Sequence, residues 1–316
     1  MNNPRRLFLN QLTVMAGVAA LNKPFTSAAA IARHINTLQT AGSQVTVYHT
    51  NDLRGNIDVV YKNMGGLDQI RTVLKNQEVN GLLVDAGSFL NASDNLSRQK
   101  KVIYTMNGIG YHVATIGSHE LLHGQEHLAT LVPLMQFALV NCNYQFDNQL
   151  SNLVKPYVII NSGKFRIGIT GVGQQIGEVK YNDAIESANR MARLLKEDRK
   201  CDLVICLSHL GYNHEGSKPD NQKLAQQSEN IDMIIGGQNH SLFNNTLVLR
   251  NKLKHEIIVA QTAWNGLMMG RTIINFDKEK QKNGIVAKHF IPGMPGNQSY
   301  AASFSDLQLA KDLPMS

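Results

Sequence analysis

The chain has 316 residues, 43% hydrophobic and 17% charged, enough to bury a large core and unlike a low-complexity or fibrous sequence. Its formal charge of +7 comes from Lys and Arg that are scattered rather than clustered with aromatics, which argues against nucleic acid as a partner. Three cysteines, Cys142, Cys201 and Cys206, show neither a disulfide framework nor a metal-type pair spacing.

The first thirty residues read as an export signal rather than part of a fold. A basic start with Arg5-Arg6 precedes a modest apolar run over 12–21, Lys23, and small residues over 27–30 that suit cleavage, the pattern of a bacterial twin-arginine signal. The run is too short and too rich in Gly and Ala to span a bilayer stably, and no later run reaches the length of a membrane helix, so an exported, periplasmic or extracellular protein without an integral span is expected. Cleavage after residue 30 removes three positive charges and no acid, leaving +4.

Strand-like and helix-like segments then alternate. Strands are predicted at 45–48, 82–84, 111–116, 137–140, 157–160, 166–170, 203–207 and 233–235, and helices at 66–75, 102–107 and 184–197. This alternation implies an α/β layered domain. Beyond about residue 245, runs at 246–249, 256–260 and 271–276 are spaced like a meander, with Trp264 inside the sheet region, and the last 25 or so residues read as a tail. Cys201 and Cys206 flank a strand and are expected to face opposite sides as free thiols.

Each strand runs into a polar loop, and ligands of α/β sheets bind outside the carboxyl ends of strands. The loops are His49-Thr50-Asn51-Asp52-Leu53-Arg54-Gly55, Asp85-Ala86-Gly87-Ser88, Gly117-Ser118-His119-Glu120, Ser208-His209-Leu210-Gly211 and Gly236-Gly237-Gln238-Asn239-His240. The third has a second reading. His119-Glu120-Leu121-Leu122-His123 fits a zinc-protease helix, with two His one turn apart, a general-base Glu and His127 as a further ligand. Against it, Gly117 interrupts the chain just before His119 and places it at a strand-to-helix turn.

The order and spacing of the five loops resemble the calcineurin-like metallophosphoesterases, and most closely the catalytic domain of secreted 5′-nucleotidases. The resemblance covers about residues 43–278 and includes the connecting segments Met106-Asn107-Gly108-Ile109-Gly110-Tyr111 and Ile231-Asp232-Met233-Ile234-Ile235-Gly236-Gly237. It implies an α/β metallophosphoesterase-like layered sandwich, two β-sheets flanked by helices, followed by a terminal strand, loop and tail over 279–316. It also implies two divalent ions, such as Mn or Zn, bridged by a carboxylate and able to activate a hydroxide for in-line attack.

Carried over residue by residue, the resemblance leaves Asp52, His209 and His240 at ligand positions and His119 at that of the transition-state histidine. Arg54 replaces a ligand His, Ser88 the bridging Asp, Ser118 a ligand Asn and Gln238 a ligand His. Asp85 does not rescue the bridge. Hydroxyl and amide groups do not offset a dication, and a guanidinium opposes one. The expectation is a decayed metal site that binds phosphate or another oxyanion without metal through Arg54 and His119, helped by His209 and His240. The alternatives are a slow phosphomonoesterase or 5′-nucleotidase with one metal on Asp52, His209 and His240, and the zinc protease on His119 and His123. A phosphorylated small molecule or phosphate is the expected ligand. The family's nucleobase-stacking second domain is expected, if anywhere, on a separately encoded chain.

Overall fold

A computed structural model describes residues 37–38, 42–77, 80–147, 149–238 and 246–294. The expected leader, most of the tail and His240 lie outside the described residues.

Two mixed sheets pack face to face. The six-stranded sheet has the order β15-β14-β2-β3-β4-β5, from Lys282–Phe290, Met269–Phe276, Gln44–Thr50, Leu82–Asp85, Val113–Thr115 and Ala138–Val140. The seven-stranded sheet has the order β1-β7-β8-β10-β11-β13-β12, from Thr37–Leu38, Tyr157–Ser162, Phe165–Gly173, Leu203–His209, Met233–Gly236, Glu256–Gln261 and Leu247–Arg250. The remaining strands, β6 (Tyr144–Gln145) and β9 (Lys180–Tyr181), pair with each other.

Strand alternation sets the layers. Val45 and Val47 of β2 meet Ile167, Ile169, Ile205 and Ile235 in the core between the sheets, whereas Tyr48 joins the core on the outer face of the six-stranded sheet. Helices α1 (Leu67–Lys75), α2 (Leu96–Ile109) and α3 (Gly124–Leu131) contribute to that outer core. On the far side, α5 (Ala184–Arg193) and α6 (Asn221–Gln227) cover the seven-stranded sheet, and α4 (Leu150–Leu153) is a single turn. Strands covered on both faces read as nearly continuous apolar runs, as Leu82-Leu83-Val84 and Met233-Ile234-Ile235 do.

The predicted sandwich is present, with local differences. The helix expected at 102–107 begins at Leu96, because Asn95 caps it by accepting from the Ser97 and Arg98 amides, and ends at Gly110 with φ 96°. The helix expected to 197 is α-helical only to Arg193 and continues as a π turn over Leu194–Asp198. No meander follows residue 245: β12 and β13 form an antiparallel pair in the seven-stranded sheet, while β14 crosses to pair with β2. The crossing loop carries Trp264, which is not in a sheet but buried with Met64, Leu267 and Met268. Cys201 precedes β10 and shares one apolar cluster with Cys206; all three thiols are free. No described helix is long and apolar enough to cross a membrane.

Candidate functional site

The five loops do meet, at one end of the sandwich and from both sheets. The β2 loop zips onto the β3 loop, with the amides of Asp52, Arg54 and Gly55 donating to the carbonyls of Gly87, Ser88 and Phe89 at 2.8–2.9 Å. Glu120 then ties the β3 loop to the β4 loop. Its buried carboxylate accepts from the Gly117 amide at 2.7 Å, from Ser88 at 2.8 Å and from Leu90 at 2.9 Å. Burial raises its pKa even against these three donors. From the other sheet, the Gly237 amide donates to Ser208 O and the Gly211 amide to Gly237 O. Gly237 must be glycine, since a Cβ there would stand 2.7 Å from Ala86 O and 2.8 Å from His209 Nδ1.

His209 is the centre of the cluster. Its Nδ1 lies 2.8 Å from Ala86 O, and a carbonyl only accepts, so Nδ1 carries the proton and Nε2 is an acceptor. Ser88 Oγ donates to that Nε2 over 3.0 Å and sits 3.3 Å from Ser118 Oγ. Asp52 Oδ1 is 4.0 Å from the same nitrogen, while its Oδ2 accepts from the Gln238 amide at 2.8 Å and from Asn51 Nδ2 at 2.9 Å.

Four residues of the cluster hold left-handed backbone: Asp52 (φ 51°), Arg54 (51°), Ser88 (57°) and Gln238 (67°). Outside glycine this costs roughly 1 kcal/mol or more each and persists only where surroundings enforce it. All four are positions at which the resemblance places ligands.

Arg54 and His119 are half-buried beside the cluster, and the Arg54 charge acts on both Asp52 and His119. Burial lowers the Arg54 pKa and the Asp52 carboxylate opposes this; the guanidinium stays protonated. Burial also lowers the His119 pKa and the Arg54 charge pushes it further down, with Nδ1 2.9 Å from Leu90 O.

The described residues of these loops do not by themselves fit a dinuclear metal centre. Asp52 is already engaged by two N–H donors, His209 Nε2 accepts from Ser88, and among the described residues no carboxylate stands between them. Among the described residues no group of three or more His, Cys, Asp or Glu is placed to hold a metal. Asp85 is buried and uses both oxygens on Thr50 and the Gly87 amide, and burial raises its pKa well above the usual carboxylate range. The protease helix does not form either. Residues 118–123 are turns, α3 starts at Gly124, and His123 Nε2 lies 2.9 Å from Ala92 O.

Two participants, Thr262 and Asn265, escaped the sequence reading. Asn51 Oδ1 accepts from the Thr262 amide and hydroxyl at 2.8 and 2.7 Å, and the Asn265 amide donates to Asp52 O at 2.7 Å, pinning the β2 loop to the β13–β14 crossing. Contacts spanning 211 residues leave no local signature.

Fold and loop cluster together define a calcineurin-like metallophosphoesterase architecture. Within that class the chain's relatives are nucleotide phosphoesterases and 5′-nucleotidases, although no family model matches it. It is 25% identical over 278 residues to the trifunctional nucleotide phosphoesterase protein YfkN of Bacillus subtilis, covering 74% of this chain and 18% of that protein. The crystal structure of YfkN as a calcineurin-like phosphoesterase superposes with a TM-score of 0.66 at 23% identity, over 84% of this chain and 96% of that one. A 5′-nucleotidase of Vibrio cholerae is 25% identical over 222 residues, covering 61% of this chain and 40% of the relative. The structure of a 5′-nucleotidase precursor from Thermus thermophilus aligns with a TM-score of 0.71 at 23% identity, over 85% of this chain and 58% of that one. The chain thus spans less than half the length of both curated relatives.

Proposed function

We propose that this 5′-nucleotidase-like protein is exported and has weakened or lost phosphatase activity, keeping a site for phosphate or a phosphorylated small molecule. The observation that carries this reading is the Ser88 hydroxyl on His209 Nε2, where the resemblance expects the bridging carboxylate. A dication there would meet a neutral hydroxyl, an occupied imidazole and the nearby Arg54 charge. An oxyanion would meet the Arg54 guanidinium and the Ser118 hydroxyl as donors, with the His119 ring beside them. The twin-arginine leader supports export, and a partner chain carrying the family's second domain is part of the same reading.

Metal content, turnover and anion binding test it on one preparation of mature protein. The expected result is no stoichiometric Mn or Zn, little turnover of nitrophenyl phosphate or nucleotides with either metal, and a phosphate-dependent rise in melting temperature that Arg54→Ala removes. Metal-dependent turnover abolished by Asp52→Ala would overturn it in favour of a single ion on Asp52, His209 and His240. Export is checked separately by fractionating cells that express the Arg5→Lys, Arg6→Lys variant, which should retain the protein in the cytoplasm.

A further inference from the structure

Helix α2 carries on its outer face a charge pattern that the loop cluster does not use. Gln99, Val102, Ile103 and Met106 form its buried face. Ser97, Lys100, Lys101, Tyr104 and Thr105 recur at three- and four-residue spacing and so share the opposite one. Arg71 of α1 faces them, and the six side chains line one cleft of about 470 Å³. Sites for small ligands span ~300–1,000 Å³.

The cleft is lined by three cations and no acid. Helix α2 itself has no Asp or Glu along its 14 residues. Lys196, Lys223 and Lys282 each sit on a carboxylate, whereas among the described residues Lys100 and Lys101 form no ion pair. Arg71 holds Asp68 at 3.1 Å in an exposed pair, a kind that contributes little and yields readily to a stronger anion. Like charges gathered around one concave space repel one another and focus a positive potential into it.

The remaining lining groups are neutral. Tyr104 is 55% exposed, and Thr105 turns its hydroxyl onto the Lys101 carbonyl at 2.8 Å, leaving Ser97 and Tyr104 as hydroxyl donors. A cation is repelled here. An anion with charge at one point needs one of the three basic groups, but cations supplied by two helices suit an anion whose charges are spread along its length. Arg engages phosphate with its planar fork and Lys as a point charge.

We propose that Arg71, Lys100 and Lys101 form a site for a small oligophosphate anion, separate from the five-loop cluster. No residue of the cleft belongs to those loops, so the inference stands whether or not the loops bind phosphate. An anion bound there ties α1 to α2, the helices that follow the β2 and β3 loops.

Tripolyphosphate titrated calorimetrically into the full chain carrying Arg54→Ala, at constant ionic strength, tests the cleft with the loop site disabled. Binding of one equivalent is expected, weakened at least about tenfold by adding Lys100→Gln and Lys101→Gln. The control pair Lys164→Gln and Lys254→Gln removes the same charge elsewhere and should leave binding unchanged. Should the Arg54→Ala chain fail to fold, the lysine exchanges in the unsubstituted chain should remove one binding event and spare the other. No binding, no loss on exchanging Lys100 and Lys101, or an equal loss in the control would each overturn the site. Retention on phosphatidylglycerol vesicles without binding of tripolyphosphate would overturn it in favour of a membrane surface.

Discussion

Ser88 Oγ and His209 Nε2 lie 3.0 Å apart although 121 residues separate them in the chain. A neutral hydrogen bond occupies the point where two sheets bring their loop ends together, and the loops around it still hold a left-handed backbone at Asp52, Arg54, Ser88 and Gln238. Asn, Asp and His tolerate that conformation better than Arg or Gln do. Restoring ligand types therefore suits the backbone as well as a metal. The variant Arg54→His, Ser88→Asp, Ser118→Asn, Gln238→His should fold and bind Mn tightly enough for calorimetry. Failure of a folded quadruple variant to bind would refute the residue correspondence. Ser88→Asp alone should destabilise by about 1 kcal/mol or more, because it sets a second carboxylate near Asp52 with no cation between them.

Glu120 is the structural counterpart of that pair. Three backbone amides from two loops, Gly117, Ser88 and Leu90, all donate to it, and all lose their acceptor in Glu120→Ala. Hydrogen bonds to a charged group contribute ~1.5–3 kcal/mol, and orphaned buried amides add to the loss. A drop of at least about 3 kcal/mol in chemical denaturation is expected, with Glu120→Gln falling between. A change under about 1 kcal/mol would show that the loops hold together without it.

How much of this was legible follows from where each signal sits. The loops after β2, β3, β4, β10 and β11 could be read because each is a polar, glycine-containing turn after an apolar run, which is local information. The substitutions at Arg54, Ser88, Ser118 and Gln238 were equally visible as residue types. The left-handed backbone was not, because Asp, Arg, Ser and Gln carry no glycine-like cue. Nor did strand spacing reveal that β14 leaves β13 for β2, since the choice of sheet is made by the buried loop around Trp264. Glu120 was noticed as a motif residue, but its role depends on amides from a loop about 30 residues away.

Buried histidines give the stability a predictable pH dependence. Burial holds His49 at about 3 and His112 at about 4, below the ordinary 6.5, and His112 Nδ1 accepts from the Leu83 amide. Between those values and 6.5 the unfolded chain binds more protons than the folded one, so stability is full above pH 6.5 and is lost as pH falls toward 4 and then 3. For His112 the loss amounts to about 3 kcal/mol at ~1.4 kcal/mol per tenfold change in affinity. The raised pKa values of Asp85 and Glu120 act in the opposite sense over their own range, so the histidine contribution is isolated by comparison. His112→Gln keeps an acceptor for Leu83 without a titrating ring. Its denaturation free energy should fall less between pH 7 and pH 4.5 than that of the unsubstituted chain, and an equal fall would rule out His112 as a source.

Gly237 tests whether the two sheets are coupled at the site. A Cβ added to it would lie against Ala86 O and His209 Nδ1, the two atoms that form the hydrogen bond fixing the His209 ring. A methyl group at 2.7 and 2.8 Å from them cannot be accommodated by rotating a flexible side chain, because one neighbour is backbone and the other is a fully buried ring. Gly237→Ala should therefore cost ~1–3 kcal/mol, the usual range for overpacking, and should turn the His209 ring away from Ala86. Ring displacement would release Ser88 and alter the hydroxyl pair with Ser118, so the phosphate-dependent rise in melting temperature should shrink together with stability. Loss of stability with an unchanged phosphate response would place the ligand on Arg54 and His119 alone, independent of the His209 bond.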